Sequence, residues 1–187
     1  MAEIGRRLVH ASGALAPASY LLGVLTWAQL GWILAFGVVL AMGLEFVRLR
    51  SGLEWWIYEN LTREYEHEKV AGYALYMVGM AVVALAFPPA IGVPAMFMLA
   101  IGDPVGGYLG KGAATKSPVA LGAVFVVCLL FALAFVPPIV AVCGALAATA
   151  ADGYLLSIRE YVVDDNLTIP IGAALAMWLG VTLVGPI

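Results

Sequence analysis

The chain has 187 residues, of which 64% are hydrophobic and 11% charged, with a formal net charge of -3 and a mean hydropathy of +1.01. A soluble domain carries roughly 25% charged residues, so this composition excludes a water-covered globule and makes lipid the expected solvent. The small negative balance argues against a nucleic-acid partner, and Cys128 and Cys143, each isolated in an apolar run, argue against a disulfide framework or a cysteine metal site.

In chain order, Arg6 and Arg7 precede an apolar run containing the small residues Ala14 and Ala16. A signal peptide has this look, but a second apolar segment follows at once, so the run is read as a retained span. A span needs about 20 mainly apolar residues. The predicted fold is an all-α integral membrane protein of about seven transmembrane helices, near 11–28, 30–47, 70–87, 89–103, 118–136, 138–156 and 167–186, forming one domain over 1–187. Uncharged turns at Trp27-Ala28-Gln29, Phe87-Pro88-Pro89 and Val136-Pro137-Pro138 separate pairs of spans, proline breaking the helix by removing a donor.

Ionisable residues fall in four clusters: the N-terminus (Glu3, Arg6, Arg7, His10), 45–69, 103–116 and 152–165. With seven spans all nine Lys and Arg share one side, which the positive-inside rule makes cytoplasmic, with the N-terminus inside and the C-terminus outside. In the segment 51–69, Leu53, Ile57 and Leu61 recur at helical spacing, beside Trp55 and Trp56 and a surplus of charge. It reads as an amphipathic helix lying on the interface. Its Glu64, Glu66, His67 and Glu68 form a solvated face sooner than a ligand set, because adjacent residues diverge on a helix. The sequons at Asn60 and Asn166 fall on the predicted cytoplasmic side and are accidental.

The fourth span is short, because Asp103-Pro104 ends its apolar run and leaves a carboxylate near the membrane boundary. Such a charge costs a few kcal/mol and usually has a partner or a function. Residues 101–117, IGDPVGGYLGKGAATKS, then combine Gly106, Gly107, Gly110 and Gly112 with Lys111, Lys116 and Asp103. Glycines let backbone N–H groups approach an anion, lysines offset phosphate charge, and an aspartate can hold the magnesium that accompanies a nucleotide. The run is neither a Walker A loop nor G-x-G-x-x-G, and a glycine-rich membrane-edge loop facing anionic lipid would look similar.

Ser117 is a preferred N-cap with Pro118 at the first helical position. Asp164, Asp165 and Asn166 precede a second helix start, with Asn166 the expected cap and Pro170 in the first turn. Two helix N-termini so placed are natural phosphate cradles. Asp164 and Asp165 have a plainer role as dipole partners, whereas Asp152 stands alone among apolar residues where the sixth span ends. Asp103, Asp152 and Asp165 are expected to gather around one site that suits a magnesium-bound polyphosphate.

Four passages carry a resemblance: RRLVHASG at the N-terminus, REYEHEKVAGYALY at 63–76, GDPVGGYLGK…KSPVALG at 102–122 and DDNLTIP at 164–170. Together they resemble the polyprenol kinase group (dolichol, phytol and geranylgeraniol kinases), with CTP-dependent diacylglycerol kinases as relatives. The resemblance implies transfer of the γ-phosphoryl of CTP to the terminal hydroxyl of a membrane isoprenoid alcohol, with Mg2+. On it, Asp103, Lys116, Asp165 and His10 are the catalytic candidates, His10 as a second candidate base. Gly106, Gly107, Gly110, Lys111, Lys116, Ser117, Asn166 and Thr168 would face the nucleotide, and Asp103, Asp152 and Asp165 the metal. The alternatives are a membrane cytidylyltransferase forming a CDP-lipid and a small membrane transporter. The spans lack the deep polar residues a transport pathway uses.

Overall fold

The structure is a computed structural model that describes residues 2–51, 69–110, 116–154, 156–158 and 161–184. Helices α1 (Ala2–Ser12) and α2 (Leu15–Leu21) come first. They are parted at Gly13, where a Cβ would collide with the Tyr76 hydroxyl, and α2 is followed by a turn through Gly23 at φ 70°. Helix α3 (Trp27–Ser51) opens on a reciprocal cap. Thr26 Oγ1 accepts from Gln29 N at 3.2 Å, and Gln29 Oε1 accepts from Thr26 N at 2.9 Å. Thr-x-x-Gln is the capping-box pattern, so Trp27-Ala28-Gln29 is the first turn of a helix and not the turn expected from sequence.

Helix α4 (Gly72–Ala86) runs back to Phe87, whose carbonyl accepts from Trp27 Nε1 at 3.0 Å. Pro88 and Pro89 then start α5 (Pro89–Phe97), which passes through a π turn (Met98–Gly102) into α6 (Asp103–Gly110). Asp103-Pro104 therefore does not end the helix, as expected from sequence, but sits where a π turn hands over to α6. Helices α7 (Pro118–Leu133) and α8 (Pro138–Gly153) are joined by the Pro137-Pro138 turn. Strands β1 (Leu156–Ile158) and β2 (Tyr161–Val163) form an antiparallel pair with Ser157 opposite Val162. Helix α9 (Asp165–Val184) closes the order. It packs against α8, α4 and α5, while α3 lies on α4, and α7 on α8 and α6.

The expectation of seven transmembrane helices does not hold. Among the described residues, three helices are long and apolar enough to cross a membrane: Trp27–Ser51, Pro89–Gly110 and Asp165–Leu183. The region 11–28 is broken at Gly13 and at Gly23. Helices α4, α7 and α8 have 15, 16 and 16 residues, or about 22–24 Å at 1.5 Å per residue, against a hydrocarbon core of about 30 Å. Their apolarity has another use. Met80, Val83, Val124, Cys128, Val140 and Ala145 are buried in the protein core, and a run that is hydrophobic all round looks the same whether protein or lipid covers it. Helix α8 also stops at Gly153, short of the predicted limit, and strand β1 follows from Leu156. The predicted interfacial helix and its Glu64, Glu66, His67 and Glu68 lie outside the described residues, as do Lys111 and Gly112.

The molecule is thus largely helical, with a few apolar helices consistent with membrane association. Exposed residues such as Trp32, Phe36, Leu130 and Trp178 give it an outer surface suited to lipid.

Candidate functional site

Helix α1 brings His10 to the π turn. In the i to i+5 register of that turn the Leu99 carbonyl looks toward residue 104, a proline with no N–H to give. His10 Nε2 supplies the missing donor, 3.1 Å from Leu99 O, and lies 3.4 Å from Asp103 Oδ2. A ring nitrogen facing two acceptors carries the proton, so Nε2 holds Asp103 in place and is not a base. Tyr76 buttresses the arrangement from α4: its hydroxyl donates to His10 O at 3.2 Å, and its ring meets the imidazole edge-on at 4.5 Å.

Lys116 joins this assembly to α8. Its Nζ is 2.5 Å from Asp152 Oδ1 and 3.9 Å from Asp103 Oδ1, so the two carboxyls share one ammonium. Glycines make the approach possible. A Cβ on Gly106 would stand 2.6 Å from Asp152 Oδ2, 2.8 Å from Val124 Cγ2 and 3.0 Å from Lys116 Nζ, and one on Gly110 would be 3.4 Å from Lys116 Cγ. Gly106 and Gly110, one turn apart, are the bed on which the lysine stem lies. Beside them the Arg7 guanidinium is stacked over Gly107, 3.6 Å from the position of a Cβ.

Gly106→Ala is therefore expected to disturb the Lys116–Asp152 pair directly. Alanine is the better helix former by about 0.8–1.0 kcal/mol, so the clash and the helix gain oppose each other in stability, while the site geometry can only lose. Melting in detergent should change little and any activity of the site should fall at least tenfold. A variant with full activity would show that the pair has no part in it.

His10, Asp103, Lys116 and Asp152 are thus brought together, with Gly106, Gly107 and Gly110 beneath them. Ser117, Asn166 and Thr168 have local duties. Ser117 caps α7, its Oγ accepting from Ala120 N at 3.2 Å. Asp164, and not Asn166 as expected, caps α9: Asp164 Oδ1 accepts from Asn166 N at 3.0 Å and from Asn166 Nδ2 at 2.7 Å. Thr168 Oγ1 donates to Asp164 O at 3.4 Å. Pro170 has no N–H for Asn166 O, and that oxygen faces Gly79, where a Cβ would overlap it. Asp165 stands half-buried in the first turn of α9. Lys111 lies outside the described residues.

Among the described residues no three His, Cys, Asp or Glu side chains form a metal group, so the described geometry offers a carboxylate pair, Asp103 and Asp152. Asp152 has no exposed side-chain surface, and its Oδ2 has no hydrogen-bond donor among the described residues. A buried orphan oxygen calls for a further partner, and Mg2+ is ordinarily held by one or two carboxylates together with substrate phosphates. The pair fits such an ion.

Beside the cluster an apolar groove of about 320 Å³ runs between α1 and α6, lined by Ala11, Ile101, Pro104, Val105, Tyr108 and Leu109. Ala11 and Pro104 are the chain neighbours of His10 and Asp103, and none of the four clustered polar residues lines the groove. Comparison with family models, with curated proteins and with solved structures gives no match.

Proposed function

We propose that this chain is a lipid-alcohol kinase, transferring the terminal phosphoryl of a nucleoside triphosphate to the hydroxyl of an isoprenoid alcohol, with CTP the donor by the resemblance described above. The observation that carries the reading is the cluster itself: a partly exposed carboxylate, Asp103, beside a lysine shared with the covered Asp152. The apolar groove involves α6, the helix that Asp103 begins, and a long-chain alcohol needs apolar cover for its tail and charge for its reacting end. Phosphoryl transfer depends chiefly on positioning and on neutralising charge.

Asp103 is the reacting carboxylate in this reading. Its side chain is 21% exposed while that of Asp152 is fully covered, so Asp103 alone can meet the alcohol. The hydroxyl oxygen attacks the terminal phosphorus, the bond to the departing nucleoside diphosphate breaks, and the proton passes to Asp103, which His10 Nε2–H keeps aimed. Lys116 and Arg7 offset phosphate charge. Magnesium, held by Asp152 and Asp103, would supply further neutralisation. The apolar helices support membrane association, and in this reading the chain is a multi-pass membrane protein with its site facing the cytoplasm.

The test offers labelled CTP or ATP to geranylgeraniol, phytol and dolichol with protein in detergent. The expected products are the lipid monophosphate and the nucleoside diphosphate. Release of pyrophosphate with a CDP-lipid would make the protein a cytidylyltransferase, and liposome flux without nucleotide turnover would make it a transporter. No lipid phosphate with any donor rejects the proposal.

A further inference from the structure

Lys116 and Asp152 have duties that cannot be met at the same time. In the phosphotransfer reading the lysine faces polyphosphate and the aspartate faces a cation, yet the ammonium is committed to the carboxylate, 2.5 Å from Oδ1 and 3.9 Å from Asp103 Oδ1. The pair is closely packed on its Gly106 side. Gly106 presses so closely that a Cβ would come within 2.6 Å of Asp152 Oδ2 and 3.0 Å of Lys116 Nζ. A divalent ion approaching by itself meets a positive charge already seated between the two carboxylates. Taking that place would strand a largely buried ammonium, 16% exposed, without its partner. A triphosphate removes both obstacles, because it offers the ammonium another anion and brings oxygens for the ion.

We infer that Lys116 gates cation entry: its ammonium sits between Asp103 and Asp152, and a divalent cation takes that place only as a polyphosphate draws the ammonium away. Metal and nucleotide then bind with positive coupling, and by linkage each strengthens the other equally. Lys116 serves as the countercharge for Asp152 in one arrangement and for phosphate in the other.

The test is titration of the full chain in detergent with Mn2+ alone, followed by electron paramagnetic resonance. Wild-type protein is expected to bind weakly. Lys116→Gln, which can still donate a hydrogen bond to Asp152, should bind Mn2+ at least tenfold tighter. Lys116→Arg, which keeps the charge, should remain weak, and the gain should vanish when Asp152→Asn is added to Lys116→Gln. Lys116→Met provides a second neutral variant should the glutamine protein fail to fold. Thermal melting of the wild type adds a check that needs no variant: Mn2+ alone should stabilise little, and Mn2+ with CTP markedly. Equal or weaker Mn2+ binding by a neutral variant overturns the inference. So does a gain that survives Asp152→Asn, or strong stabilisation of wild type by Mn2+ alone. The inference takes the identity of the cation from the phosphotransfer reading, but the titration is blind to turnover. A chain that shows this Mn2+ behaviour and phosphorylates no lipid would end the kinase reading and leave the gate standing.

Discussion

Asp103→Asn is expected to lower phosphoryl transfer by about 10²–10³-fold, within the range for removal of a positioned proton acceptor, with little change in melting temperature. Asparagine has the shape of aspartate, and at 21% exposure the site can rehydrate around it. His10 Nε2–H also keeps an acceptor in Leu99 O, 3.1 Å away. What is lost is the oxygen able to take the hydroxyl proton. Asp152→Asn should behave differently. Its carboxylate is fully covered and holds the Lys116 ammonium, and removing one partner of a buried pair leaves the other charge uncompensated. That variant should lose stability and transfer together. Turnover numbers and melting curves for the two proteins separate the roles. A Asp103→Asn protein retaining more than half of wild-type activity would show that this carboxylate serves only as a structural partner of Lys116 and His10.

Much of this arrangement was open to reading in the linear sequence. Ser117-Pro118 reads correctly as a helix start because a cap and its proline are local chemistry, confined to a few residues. The glycines at 106, 107 and 110 read as places where backbone N–H groups approach an anion; they lie within α6, and what approaches them includes two side chains, Lys116 and Arg7. Asp152 stood out as a charge in an apolar run, and its partner is the lysine that the glycine-rich stretch supplied. The error was in the helices. Hydropathy registers that α4, α7 and α8 avoid water, but not whether lipid or protein replaces it, and Val83, Cys128 and Val140 are covered by protein. Local signals were also misassigned. Thr26-x-x-Gln29 is a capping box mistaken for a turn, and Asp164 outcompetes Asn166 as a cap because its carboxylate reaches both Asn166 nitrogens.

Other parts were not legible at all. The π turn has no sequence signature of its own. Its consequence, a Leu99 carbonyl deprived of a donor by Pro104 and met by His10, depends on two segments 89 residues apart. The apolar groove likewise depends on α1 crossing α6. Arg7 is separated from His10 by three positions, and that spacing on one helix face was the available hint that both reach the same neighbour.

Glu45→Ala is expected to be the most damaging single substitution for the fold, at about 3–5 kcal/mol, the cost of breaking a buried ion pair by removing one partner. Glu45 is 1% exposed and Arg48 7% exposed, and the pair is bidentate, with Arg48 Nε 3.0 Å from Oε1 and Nη2 2.8 Å from Oε2. The same carboxylate accepts from Ala71 N at 2.8 Å and from the Tyr73 hydroxyl at 2.7 Å, while Arg48 Nη2 donates to Lys69 O at 2.6 Å. One carboxylate thus secures the end of α3 to the start of α4, and alanine would leave a guanidinium, a backbone N–H and a phenol without that acceptor. Glu45→Gln keeps an acceptor for the Ala71 N–H and should cost distinctly less. Replacing Glu45 and Arg48 together by leucine and methionine should cost less than Glu45→Ala alone, because no charge is then stranded. Denaturant melting of the three proteins in the same detergent checks the order. If Glu45→Ala melts with the wild type, the carboxylate does not hold α3 to α4, and this buried pair is dispensable to the packing that positions Tyr76 behind His10.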